Sequence, residues 1–267
     1  MKTLILSPRC TPDSIALYGA ALEAGWEVER LLSWRPPSYL CQTDAAIYGE
    51  PLFVAVVASE LSISLLEPHF GWLADLPRKY LLREVYFTTL DEARKYSSRA
   101  FIKPADDKCF PTGVYDSGSD LPIPAVLPDS TPVLISEPVV WDVEFRFFVA
   151  DRRVATFSPY ARRDCDWISE GQWKATELEE KEALELCSQL AADPTIQLPP
   201  SMVVDIGRIE NRGWAVVEAN AAWASGIYGC DPRRVLQCVA RACVRSQDIG
   251  AEELAWVVPR NDRCSEP

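Results

Sequence analysis

Short apolar runs alternate with stretches of helical spacing over residues 1–68. "KTLILS" reads as a buried strand. In the following "TPDSIALYGAALEAG", Thr11 or Asp13 can cap a helix, Pro12 suits its first turn and Gly25 its end. "WEVERLL" alternates as a strand, "AAIYG" is a second brief run, "PLFVAVVASEL" reads as a buried helix and "SISLLEP" as another short strand. Strands alternating with helices predict a small α/β unit with a largely parallel sheet, assigned to residues 1–77.

The pattern then changes. "GWLADLPRKYLLREVYFTTLDEARKY" is helical in spacing, basic from Arg78 to Arg83, and is expected to link two halves. From "RAFIKPADD" onward strands dominate: "AFIKP", "PVLISEPV", "VEFRFFVAD", "RVATFSPYA", "MVVDIGRI" and "WAVVEAN". Two helices interrupt them. "TELEEKEALELCSQLAA" carries a charged face and a Leu/Ala face, and "DPRRVLQCVARACVRS" opens on an Asp-Pro cap. The terminal "PRNDRCSEP" is expected to fray. Residues 78–267 therefore read as an α+β unit.

Composition narrows the function. Of 267 residues 48% are apolar and 25% charged, ordinary for a globular chain with a sizeable core. The net charge of −12 disfavours nucleic acid as the main partner, because phosphate backbones reward clustered Lys and Arg. No window approaches the ~20 apolar residues of a membrane span, and the N-terminus lacks a signal-peptide pattern. Nine scattered cysteines without a CxxC pair argue against zinc or a disulfide framework. Reduced thiols and a cytoplasmic location are expected.

One hairpin carries chemistry. "MVVDIGRI" places Asp205, and "VVEANAAW" places Glu218 and Asn220, on either side of the turn cluster "ENRG". With a turn centred on Asn211 and Arg212, Ile209 faces Trp214, Asp205 faces Glu218, and Asn220 shares the face of Glu218. Opposed side chains sit ~5 Å apart at Cβ, so two carboxylates there repel. A hard divalent cation offsets that repulsion, since carboxylate and amide oxygens are its ligands. The competing possibility is two solvated acids paired with Arg208 or Arg212. Elsewhere, Lys103 ends an apolar strand and Lys108 sits in the next loop. Glu144 and Arg146 share one face of a strand whose other face carries Phe145 and Phe147. Neither GxxxxGK[ST] nor GxGxxG occurs. His69, the lone histidine, and Cys109 read as structural.

Taken in order, "FIKP", "LISEPVVWDVEFRFFV" and "VVDIGRIENRGWAVVEAN" resemble the ATP-grasp superfamily of ATP-dependent ligases, from about Arg78 to the helix after Asp231. The acid strand, turn and "VEAN" match the family's D…ExN metal signature. The chain looks most like a compact clade placed in peptide- or amino-acid-ligating pathways. The resemblance implies two α+β subdomains gripping ATP, preceded by a Rossmann-like pre-ATP-grasp domain. It implies ATP and Mg²⁺, with Asp205, Glu218 and Asn220 as metal ligands. Lys103 would contact the α and β phosphates, and Arg83, more than Lys79, would be the first basic nucleotide contact. Glu137 with the backbone of Pro138 and Val139 would line the adenine hinge, and Glu144 would hold the ribose.

Arg146 would steady phosphate or acyl phosphate, and Lys108 would replace contacts of a longer glycine-rich loop. Val203 stands where many members carry an arginine; Arg208 is a candidate for that charge, although three residues past Asp205 it falls on the other face. The implied activity is carboxylate–amine ligation through an acyl phosphate, on small-molecule or peptide substrates. The rivals are a phosphotransferase on the same fold and a nucleotide-binding module without turnover. The acceptor pocket is expected to involve "AAWASGIYGC" and the N-terminal unit, and a homodimer is left open. Asp205→Asn and Glu218→Gln are expected to abolish turnover while leaving the fold nearly intact.

Overall fold

The first apolar run forms β1 (Lys2–Leu6), with Leu4, Ile5 and Leu6 fully buried. The computed structural model describes residues 2–105, 108–163 and 174–257. Helix α1 (Pro12–Glu23) starts at Thr11, whose hydroxyl accepts from the Ser14 N–H while Ser14 Oγ accepts from the Thr11 N–H. This reciprocal box makes Thr11 the cap rather than Asp13. Gly25, at φ +73°, takes the left-handed position just beyond the helix. Strands β2 (Glu27–Arg30) and β3 (Asp44–Tyr48) flank β1 in parallel, as the alternating pattern requires. Helix α2 (Pro51–Glu60) and strand β4 (Ile63–Leu65) follow.

The linking segment is not wholly helical. Between α3 (Arg78–Leu81) and α4 (Leu90–Arg94) the chain "VYFTT" forms β5 (Val85–Thr89). Its β-branched and aromatic residues suit an extended edge, with Val85 buried and Tyr86 and Phe87 half exposed. β5 pairs antiparallel with β8 (Pro132–Ser136), which pairs with β6 (Ala100–Pro104), and β6 with β7 (Gly113–Tyr115). This small sheet packs on its own core around Leu90, Ile102, Phe110 and Val133.

The larger sheet comprises β9 (Trp141–Ala150), β10 (Arg153–Arg162), β11 (Ser201–Ile209) and β12 (Gly213–Asn220), in the order β10-β9-β11-β12. One face presents Phe145, Phe147, Val204 and Ile206 to α5 (Glu177–Ala192). Each such fully buried side chain contributes about 1.5–3 kcal/mol. On the other face Phe148 and Val203 join the core of the N-terminal unit.

The chain then returns to its beginning. Helix α6 (Pro232–Arg241), capped by Asp231, sets Val235, Leu236 and Val239 into that same N-terminal core. The helix expected from "DPRRVLQCVARACVRS" stops at Arg241. Cys243–Arg245 instead forms β13, which pairs antiparallel with β4 and satisfies an otherwise open edge. A short α7 (Ala251–Leu254) ends the described chain. The fraying expected of "PRNDRCSEP" lies outside the described residues. Among those described, no helix is long and apolar enough to cross a membrane.

Candidate active site

The acid hairpin forms by a route the sequence did not disclose. Residues 210–212 make the turn, with Asn211 at φ 60° and Gly213 at φ +111°, and Ile209 pairs with Gly213 rather than Trp214. Carried on unbroken, that register would set Asp205 opposite Val217. A β-bulge intervenes: Ile206 pairs with Val216, Val217 is skipped, and Asp205 pairs with Glu218. A one-residue slip exchanges the two faces of a strand, so the bulge decides which way Glu218 and Asn220 point.

The carboxylates are neutralised by the chain's own cations. Asp205 is fully buried and accepts from Arg146 Nε at 2.9 Å and Nη2 at 2.6 Å. Arg146 Nη1 also donates to the Gly226 carbonyl at 3.1 Å. Burial pushes the Asp205 carboxyl up, to about 7, against the pull of Arg146; the two-pronged contact favours the ionised pair. Glu218 accepts from Lys103 Nζ at 2.5 Å and from Asn220 Nδ2 at 2.9 Å. Burial would raise Glu218, but the Lys103 charge and hydrogen bond outweigh it and bring the carboxyl down to about 2.

Glu144 lies on the Arg146 side of β9 and accepts from the Tyr160 hydroxyl at 2.6 Å. Burial raises its carboxyl, and the Tyr160 bond opposes the shift. The Arg146 guanidinium carbon is 4.6 Å from the Tyr228 ring centre and 5.4 Å from that of Tyr160; the rings stack at 5.2 Å. Tyr160 and Tyr228 were not singled out from sequence. Tyr160 is skipped at a register shift between the Pro159–Phe145 and Ala161–Glu144 pairs, which strand alternation does not foretell, whereas Tyr228 falls within "AAWASGIYGC".

Other candidates lie around this cluster. Glu137 pairs with Arg212 through contacts of 2.5 and 3.0 Å, which lower its carboxyl. Together with half-buried Pro138 and Val139 it connects β8 to β9. That connection is tied down by the Glu137 N–H on the Glu84 carbonyl and the Glu210 N–H on the Val140 carbonyl. Arg83 is buried against β12. Lys79 donates to Asp193 at 2.8 Å, away from the cluster, and Lys108 is exposed in the loop after β6. Arg208 is not brought to the site. Opposite in strand phase to Asp205, it faces α5 and meets Asp142 at 3.4 Å and Glu179 at 3.5 Å. His69 stacks on Trp256 at 6.1 Å.

A family model for the ATP-grasp domain, R2K clade family 2, matches residues 80–238. The chain belongs to this family. Among solved structures, the ATP-grasp chain resembles D-cycloserine synthetase DcsG with a TM-score of 0.57 and 14% identity, covering 90% of this chain and 98% of that one. A RimK domain ATP-grasp protein from Sphaerobacter thermophilus DSM 20745 gives 0.51 and 16%, over 90% and 99% of the two chains. D-alanine–D-alanine ligase from Bacillus anthracis gives 0.51 and 12%, over 90% and 96%. No curated protein matches. At these identities the likeness is one of fold.

Does the ATP-grasp cluster suit a divalent cation? Two carboxylates and a carboxamide on one face are a hard-cation donor set. Glu218 keeps 30% of its side chain exposed, whereas Asp205 keeps none and commits both oxygens to Arg146. Among the described residues no group of three acidic, His or Cys ligands forms. The more open donors are therefore Glu218 and Asn220, where a cation would displace the contacts of Glu218 Oε2 with Lys103 and of Oε1 with Asn220; phosphate oxygens and water would complete a Mg²⁺ shell.

Proposed function

We propose that this ATP-grasp protein is an ATP- and Mg²⁺-dependent ligase that joins a carboxylate to an amine through an acyl phosphate. The observation that carries this reading is the convergence of Lys103, from the small sheet, with Glu218, Asn220, Asp205 and Arg146, from the large one. Two sheets meeting through opposite charges make a cleft in which a polyphosphate can replace Glu218 as the partner of Lys103. Mg²⁺ held by Glu218 and Asn220 would neutralise charge on the phosphate oxygens.

Lys103 would bind phosphate oxygens as a point charge. Glu144 would accept from the ribose hydroxyls, and the backbone of Pro138 and Val139 would meet the adenine edge. Arg146, fixed by Asp205 and by the Gly226 carbonyl, would orient the acyl phosphate. Substrate carboxylate oxygen attacks the γ-phosphorus and ADP leaves. The amine then attacks the acyl carbon, phosphate departs, and the amine proton is lost to solvent. Rate comes from positioning and charge neutralisation, and no nucleophilic side chain is needed. Likeness in fold to a D-cycloserine synthetase and a D-alanine–D-alanine ligase supports amino-acid-like substrates.

The test is phosphate release from Mg·ATP across a matrix of carboxylates and amines. ADP formation that requires both partners supports the ligase. Turnover on a single acceptor replaces it with a phosphotransferase, and nucleotide binding without turnover replaces it with a binding module.

A further inference from the structure

Arg83 is only 4% exposed, and its guanidinium is spent on backbone. Nη1 donates to the carbonyls of Leu81 at 3.2 Å and Val216 at 2.7 Å, and Nη2 donates to the Val217 carbonyl at 2.9 Å. Its carbon lies 4.9 Å from the centre of the Trp141 ring. Burial pushes this guanidinium down to about 10, against the opposing charges of Glu144 and Glu137.

The carbonyls it grips belong to the bulge. Val217 is the residue skipped between the Ile206–Val216 and Asp205–Glu218 pairs. A bulge breaks the local ladder, and buried carbonyls need donors from elsewhere. Without the bulge, Glu218 would face Val204 and turn toward α5, where an ionised carboxylate has no place. Space around the bulge is also specified. A Cβ at Gly207 would stand 2.6 Å from Trp141 Cε3 and 3.0 Å from Val217 Cγ2, so glycine there lets both side chains settle.

We propose that Arg83 is a positioning residue: by bridging the Val216 and Val217 carbonyls it locks the bulge that turns Glu218 and Asn220 into the nucleotide cleft, and it does not itself touch the nucleotide. This rests on the magnesium–nucleotide reading of the cleft and assigns Arg83 a role different from the one the family resemblance implied.

A double-mutant cycle between Arg83→Met and deletion of Val217 tests it, read by ADP titration with and without Mg²⁺ and by amide hydrogen exchange of β12 in metal-free protein. In the full-length chain, Arg83→Met should leave metal-free ADP binding unchanged, weaken Mg²⁺ binding about 10- to 100-fold, and speed exchange at Val217 and Glu218. Deleting Val217 makes the ladder regular while keeping Glu218 opposite Asp205, so in that background Arg83→Met should change neither readout. Equal loss of ADP binding with and without Mg²⁺ would mark a direct nucleotide contact and overturn the proposal, as would equal effects in both backgrounds. If Arg83→Met does not fold, Arg83→Lys takes its place in the cycle; it retains the charge but offers one nitrogen where the guanidinium spans the Val216 and Val217 carbonyls with two, and wild-type magnesium dependence there overturns the proposal too. If the wild-type chain binds no nucleotide, the functional reading fails, and the exchange comparison still decides the role of Arg83.

Discussion

Lys103 Nζ lies 2.5 Å from Glu218 Oε2, so a lysine of the small sheet rests on the acid strand of the large one. On the proposed reading Glu218 would have a cation in either state, the ammonium without nucleotide and the metal with it. Glu218→Gln removes the charge both require while keeping the side chain's size. Mg·ATP-dependent phosphate release should fall by at least about 100-fold, since even outer partners of metal ligands are worth 10- to 100-fold. Retained activity in a phosphate-release assay would exclude Glu218 from the site.

Asp205 should behave differently. Its partner Arg146 is buried, so Asp205→Asn takes away the carboxylate that holds two of its nitrogens and leaves only Glu218, 3.9 Å off, as counter-charge. Breaking such a pair costs about 3–5 kcal/mol, whereas replacing both partners with apolar groups is often neutral. Urea unfolding should therefore place Asp205→Asn well below the double variant Arg146→Met/Asp205→Leu in stability, with both inactive. The sequence suggested a nearly intact fold for Asp205→Asn because it saw only repulsion between acids; the structure adds the arginine. Equal stability of the two variants would contradict the pairing.

Acid should weaken the lock between the sheets. The Glu218 carboxyl is depressed from an ordinary 4.5 to about 2, so the unfolded chain takes up this proton at higher pH than the folded one. The stability Glu218 contributes is full above its unfolded pKa and is lost as pH falls toward its folded one. Lys103→Met should flatten this part of the acid limb in urea unfolding. An unchanged limb would mean that Lys103 does not hold the carboxyl down.

Tyr160→Phe removes the donor that opposes the burial-driven rise of Glu144. The carboxyl then protonates at higher pH, and the neutral form would accept less strongly from the proposed ribose hydroxyls. KM for ATP should increase roughly tenfold, and its acid-side upturn should begin at higher pH than in the wild type. A parallel, unshifted pH profile would assign Tyr160 to packing alone.

Much of this site was legible because strand phase is simple. Glu144 and Arg146 lie on one face, with Phe145 and Phe147 on the other, as alternation requires. The opposition of Asp205 and Glu218 was legible too, although a different turn and the skipped Val217 cancel to give it. Periodicity carries no record of two compensating irregularities. The partners of the acids were hidden for another reason: Lys103 and Glu218 are 115 positions apart, and Arg146 and Asp205 are 59 apart. β5 was hidden because "VYFTT" sits between helical segments, and its pairing with β8 is decided by the sheet.

Phe148 and Val203 are part of the N-terminal core, so the large sheet and the N-terminal unit form one continuous solid. The small sheet has a core of its own, Val85 and Leu134 pack from it into the core of the large sheet, and the connections 82–84 and 137–140 join it to the rest. Lys103 is carried by that sheet, so its ammonium meets Glu218 only where the two sheets come together. On the proposed reading, a phosphate chain entering there would have to part Lys103 from Glu218, which would make access and charge exchange one event.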